Sequence, residues 1–169
     1  MRLLQRVLYY RPALPGLLIV VGTAVMYVLF SRHVISAGIV RGDSMVPTLI
    51  PGGRYFINHY IYHLREPRRG DLVVFVHPLF KDLTVKRVIG VPGDVVEQRG
   101  GRFYVNGVLL EEPYVSAGTR EGEVSGGYCR WQVPAHRYFL MGDNRAVSTD
   151  SRVFGTVARE DIKGLVMWQ

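Results

Sequence analysis

No charged residue lies between Pro12 and Phe30, and from Leu17 to Phe30 the chain is nearly all apolar. At a helical rise of about 1.5 Å per residue, about 19 such residues span roughly 28 Å, close to the hydrocarbon thickness of a bilayer. The run therefore predicts a transmembrane helix over 12–31. Tyr9, Tyr10 and Tyr27 suit the interfaces, and Arg32-His33 closes the run. Arg2, Arg6 and Arg11 precede it with no acid among them, whereas the flank from Arg32 to Asp43 carries two arginines and one acid. That asymmetry predicts a basic cytoplasmic N-terminus over 1–11, a single-pass anchor in the cell membrane, and an extracytoplasmic domain over 32–169. A cleaved leader ending near Ser36-Ala37-Gly38 is the alternative, but the length of the apolar run favours a retained anchor. Both readings send the rest of the chain across the membrane.

Beyond residue 38 the pattern changes to short runs rich in β-branched and aromatic residues, punctuated by Gly and Pro. Strands are predicted over 54–62, 71–76, 84–91, 95–99, 102–110, 138–141 and 164–168. Asn106-Gly107 is a two-residue hairpin signal, and Pro92-Gly93-Asp94 marks another turn. Residues 111–130 are polar and Gly-rich, and read as a flexible excursion. The fold class is mainly β, an antiparallel sheet domain following one N-terminal helix.

Composition narrows the chemistry. The chain has 169 residues and a formal charge of +7, enough for one anchor and one domain with its own core. The arginines are dispersed and often beside acids, as at Arg65-Glu66 and Arg159-Glu160, so the charge reads as a solvated surface and not as a nucleic-acid interface. Cys129 is the lone cysteine, which excludes an intrachain disulfide, and it reads as a partly buried filler. There is no Cys/His cluster at zinc-ligand spacing. Only Lys81, Lys86 and Lys163 are lysines. Arginine stays protonated in proteins and cannot serve as a general base, so a lysine base has only these three candidates.

Three stretches carry candidate chemistry: Gly-Asp-Ser-Met-Val-Pro-Thr at 42–48, Lys-Arg-Val-Ile-Gly-Val-Pro-Gly-Asp at 86–94, and Gly-Asp-Asn-Arg-Ala-Val-Ser-Thr-Asp-Ser-Arg at 142–152. Ser44 sits in a turn that Gly42 permits and Pro47 stiffens, although Gly-Asp-Ser is also ordinary turn chemistry. In a strand, Lys86, Val88 and Gly90 share one face, and Arg87, Ile89 and Val91 the other. A lysine facing a packed interior loses hydration and becomes a usable base near neutral pH. The plainer reading is an edge-strand lysine with its head in water. Ser148, Asp150 and Arg152 can orient an ammonium head or simply brace a loop through Asx turns. Among the histidines, His136 is the least weak candidate for a rival base, and none lies in a context that points to a Ser-His-Asp triad.

In order and wording these stretches, behind an N-terminal anchor, resemble bacterial type I signal peptidases, in the compact single-anchor form. The resemblance runs from Gly42 to Gly155 and takes in Gly-Asp-Leu-Val-Val-Phe at 70–75. It implies a membrane-anchored serine endopeptidase that removes N-terminal signal peptides from exported preproteins through an acyl-enzyme. Ser44 then matches the nucleophile, Lys86 the general base and Ser148 the serine that orients the lysine. Asp150 and Arg152 match a supporting pair, and Met45 stands beside the nucleophile among residues that meet substrate or lipid. Partners implied are preproteins with small residues before the cut, typically Ala-x-Ala, together with membrane lipid; no metal or organic cofactor is implied. The Ser44 backbone N–H matches an oxyanion donor, while Gly42 replaces the serine that supplies a second donor in some members. Val147 stands where many members carry asparagine.

Other readings stay open on the sequence: a specialised pilus or conjugation processing peptidase, a self-cleaving Ser-Lys peptidase of the LexA type, and a catalytically inactive membrane-tethered domain that binds peptides.

Overall fold

The computed structural model describes residues 13–116 and 127–168, and divides the chain into two compact units, 1–35 and 36–169. The expected cytoplasmic segment 1–11 lies outside the described residues.

The first unit contains one helix, α1 (Ala13–Val34). Pro15 falls in its first turn, where backbone N–H groups have no intrahelical partner to lose. Side chains are described over 15–28, and all are exposed there. Thr23, in the middle of the apolar run, turns its hydroxyl back onto the carbonyls of Ile19 and Val20 at 3.0 and 2.9 Å. Among the described residues no helix is long and apolar enough to cross a membrane.

The second unit is built from strands β1 (Ile35–Ile39), β2 (Arg54–Asn58), β3 (Leu72–Val76), β4 (Leu83–Gly90), β5 (Val95–Arg99), β6 (Arg102–Val105), β7 (Val108–Leu109), β8 (Cys129–Gln132), β9 (Arg137–Met141), β10 (Val157–Ala158) and β11 (Ile162–Trp168). Two short helices interrupt them, α2 (Ile61–Leu64) and α3 (Ser151–Phe154). Seven strands form one sheet in the order β1-β2-β11-β3-β4-β9-β10, and four form another in the order β7-β6-β5-β8. Every pairing with a described register is antiparallel. Val73, Phe75, Val88, Tyr138 and Leu140 pack on one side of the large sheet, and Val74 joins Met45, Leu49, Tyr55 and Ile57 in a second cluster. Phe139, Met141 and Ile89 pack with Val96 and Phe103 of the second sheet.

Local chemistry explains where strands stop. The Asn106-Gly107 hairpin forms with φ of +53° and +81°, as a two-residue turn between twisted strands requires. The predicted strand 54–62 ends at Asn58 instead, because its Oδ1 accepts the N–H groups of Tyr60 and Ile61 and turns the chain into α2. The alternation predicted for 84–91 holds only as far as Val88. A bulge lies between Val88 and Gly90, and beyond it Val91 packs with the Val88 cluster while a Cβ on Gly90 would meet Val96 and Val133. The polar excursion is shorter than 111–130: residues 117–126 lie outside the described residues, and β8 pairs with β5 from Cys129 onward. Cys129 is exposed there, not partly buried, because β8 is an edge strand with one neighbour.

Candidate active site

The turn that carries Ser44 is pinned on both sides. Upstream, Val40 exchanges backbone hydrogen bonds with Gly53 and Gly52 at 2.9 and 3.0 Å. Downstream, Val46 N–H reaches the Asp43 carbonyl and Leu49 N–H the Met45 carbonyl. Met45 and Leu49 are 3% and 2% exposed, so their burial in the core drags the turn inward while Asp43 stays outside. Ser44 sits at this boundary. Met45 is therefore a core residue and does not present itself to lipid, although it walls the cleft beside Ser44. A third clamp comes from the 142–152 stretch, where the Asn144 backbone N–H bonds to the Ser44 carbonyl at 3.0 Å and its side-chain amide to the Asp43 carbonyl at 3.1 Å.

Lys86 comes from the interior of the large sheet. Its register partner on β3 is Val73, and β9 joins the other edge of β4 from Arg87 onward. The side chain is 2% exposed, and its Nζ donates to Ser44 Oγ across 2.6 Å. Burial pulls the lysine pKa down to about 8, against the opposing pull of Asp150; Arg152 adds to the lowering and Asp143 counters it. A neutral lysine at this distance reverses the bond and accepts the serine proton, which is what activating a hydroxyl requires.

The remaining predicted residues assemble around this pair. Asp150 is fully buried and caps α3. Its Oδ1 accepts Arg152 Nε at 2.8 Å, and its Oδ2 accepts the Gly142 backbone N–H at 3.0 Å. Arg152 also donates to the Arg145 carbonyl at 2.8 Å, closing the loop on itself. Ser148 is brought to the same place, and among the described residues its buried Oγ has no hydrogen-bond partner. The orienting bond from Ser148 to Lys86 is thus not formed here. Ser148 Oγ and the Ser44 carbonyl crowd the same point above Gly142, where a Cβ would collide with both. That close approach is the reason glycine stands at 142. Gly42 has φ of +80° and open space around its missing Cβ. Among the described residues nothing accepts the Ser44 backbone N–H, which leaves it available to a developing oxyanion.

Sequence reasoning missed a second network. Asp143, fully buried, accepts Arg87 Nε at 2.8 Å and Nη2 at 2.6 Å, and takes the Thr48 hydroxyl at 2.5 Å. It ties the lysine strand to the far end of the serine turn. The only signal was proximity, since Arg87 adjoins Lys86, Asp143 adjoins Gly142, and Thr48 ends the Ser44 stretch. His77 was also missed as a neighbour of the site. It is buried beside Phe80 and Phe154, and burial lowers its pKa. His136 lies on a turn with φ of +58°, and nothing described joins it to Ser44.

A cleft of about 590 Å³ opens beside Ser44. Ala37 and Ile39 of β1 border it on one side, Leu83 and Val85 of β4 on the other, with Met45 and Tyr55 also lining it. β1 is an edge strand, and over Leu83–Val85 the described register gives β4 a neighbour on one side only. Both borders thus present backbone groups able to pair with an extended peptide.

A family model described as signal peptidase, peptidase S26, matches residues 15–169. Signal peptidase I T of Bacillus subtilis (strain 168) is 38% identical over 148 residues, covering 83% of this chain and 77% of that protein. Signal peptidase IB of Staphylococcus aureus (strain N315) is 34% identical over 166 residues, covering 89% of this chain and 86% of that protein. The crystal structure of a signal peptidase I from Enterococcus faecalis V583 superposes with a TM-score of 0.55 at 34% identity, covering 61% of this chain and 98% of that one.

Proposed function

The chain belongs to the signal peptidase family, peptidase S26, and on that premise we propose that it cleaves exported preproteins with Ser44 as nucleophile and Lys86 as general base. Signal peptide removal by a serine endopeptidase is the activity of the family. The observation that carries the residue assignment is the 2.6 Å contact between Ser44 Oγ and the Nζ of a lysine that is 2% exposed.

The neutral Lys86 amine takes the Ser44 proton as Oγ attacks the scissile carbonyl, and the Ser44 backbone N–H receives the oxyanion. The C–N bond breaks as the lysine returns that proton to the leaving amine, which gives an acyl-enzyme. Water, deprotonated by the same lysine, then attacks the ester. The acyl–Oγ bond breaks as the lysine returns the proton to Ser44 Oγ, and the released acid ionises to a carboxylate. Asp150 and Arg152 support the loop that carries Ser148, and Ser148 Oγ engages the ammonium once it forms. The preprotein lies extended between the free edges of β1 and β4. Small residues before the cut fit the part of the cleft that Met45, Tyr55 and Val85 line.

The anchor belongs to the same proposal. Over residues 13–30 α1 carries no charged residue, its described side chains are exposed, and Thr23 satisfies its own hydroxyl, features suited to lipid. With Arg2, Arg6 and Arg11 before it, the N-terminus faces the cytoplasm and the β domain the other side. The anchor confines enzyme and preprotein to one interface.

The test is cleavage of a preprotein with an Ala-x-Ala site, in detergent or lipid, by wild type, Ser44→Ala and Lys86→Ala. Loss of a defined cut in both folded variants supports the assignment; a cut that persists in either refutes it.

A further inference from the structure

A second cleft, of about 470 Å³, opens at the nucleophile. Both clefts reach Arg41, Gly42, Ser44 and Thr84, but Lys86 borders only the second. The chemistry of the proposed reaction tells them apart. When the tetrahedral intermediate collapses, the C–N bond breaks and the proton on Lys86 Nζ passes to the departing nitrogen. That nitrogen must therefore lie on the lysine side of Ser44, and the acyl half on the other. We propose that the cleft bordered by Lys86, His77, Phe80 and Val147 is a leaving-group subsite, which holds the first residues of the mature protein and discriminates among them. The proposal rests on the Ser44–Lys86 reading.

The walls of this cleft are chemically distinct from those of the larger one. Phe80 and Val147 are 69% and 60% exposed and offer apolar surface. Phe80 is held in place by stacking on His77, with ring centroids 4.7 Å apart and planes inclined by 28°. His77 is itself fixed, because its Nδ1 accepts the backbone N–H groups of Leu79 and Phe80 at 3.2 and 3.3 Å. Its remaining proton is then on Nε2, a donor able to meet a carbonyl of the leaving peptide. Phe154 packs edge-on against the same imidazole at 4.7 Å and closes the cluster from behind. The cleft thus sets two exposed apolar side chains and an oriented imidazole among polar neighbours that include Arg41, Asp43, Thr84 and Thr149. Phe80 and Val147 are placed to meet an apolar first side chain of an extended segment.

The experiment measures kcat/KM of wild type, Phe80→Ala and Val147→Phe on two preprotein series. One series varies the first residue after the cut (Gly, Ala, Leu, Phe, Asp); the other varies the small residues at the first and third positions before it. Phe80→Ala is expected to compress the preference for Leu and Phe over Asp after the cut by at least about threefold. Val147→Phe is expected to reject Leu and Phe after the cut by about tenfold more than Gly. Neither variant is expected to change the ratios in the second series. Unchanged ratios after the cut, or changes confined to residues before it, overturn the subsite. Cleavage that persists in Ser44→Ala or Lys86→Ala on these same substrates instead overturns the reading beneath it.

Discussion

Asp143 and Arg87 meet through two hydrogen bonds of 2.8 and 2.6 Å, joining residues 56 positions apart at a point where the carboxylate is fully buried. The guanidinium also stacks over Tyr114, 4.0 Å from its ring centroid, and donates to the Gly70 carbonyl at 3.0 Å. Through Thr48 the pair reaches the turn that carries Ser44, and through Asn144 the same loop holds the Ser44 carbonyl. The serine turn and the lysine strand are thus braced against each other by groups that perform no chemistry.

Removing one partner of such a pair leaves a charge without its partner in a poorly hydrated place. Asp143→Ala is expected to destabilise the β domain by about 3 kcal/mol. Chemical denaturation checks this, and the double variant Asp143→Ala, Arg87→Met should lose less than the sum of the singles. Equal and additive losses would dissolve the coupling.

Activity should follow the neutral form of Lys86. With its pKa lowered to about 8 by burial, kcat/KM is expected to rise about tenfold per pH unit below that value and level off above it. Lys86→Arg keeps the charge but cannot accept the proton, and should be inactive at every pH. A flat pH–rate profile from 6 to 9 contradicts the assignment.

The same lowered pKa has a cost in stability. The unfolded lysine holds its proton up to about 10.5, so between about 8 and 10.5 the unfolded state binds more protons than the folded one. Stability contributed by this group is complete above that window and falls as pH drops through it to about 8. At pH 7, Lys86→Met is therefore expected to stabilise the fold by about 3 kcal/mol while abolishing cleavage. A Lys86→Met variant that melts below wild type at pH 7 would mean that the lysine is not desolvated.

Ser148 allows two roles to be separated. Its buried hydroxyl, without a hydrogen-bond partner among the described residues, carries a desolvation penalty, so Ser148→Ala should leave stability unchanged or raise it by about 1 kcal/mol. If the hydroxyl steadies the lysine only once it is charged, kcat should still fall by about tenfold or more. Melting curves and single-turnover acylation rates measure both, and a variant with full acylation rate removes Ser148 from the reaction.

Much of this protein was legible in the chain alone, because short-range patterns encode it. A largely apolar run reads as a helix, and α1 forms over it; β-branched runs between turn residues read as antiparallel strands. Asn106-Gly107 forms the hairpin its backbone preferences demand. The three motif stretches named the residues that now surround Ser44, since each is a contiguous piece of chain. What tertiary structure decided is how those pieces meet. Strand alternation could not anticipate the bulge after Val88, which depends on packing against the second sheet. Nor could composition tell that Met45 faces the core, that Arg87 pairs with Asp143, or that His77 and Phe80 stand beside Lys86. Those contacts join residues distant in sequence, and their energies exist only once sheet register has excluded water from the space between them.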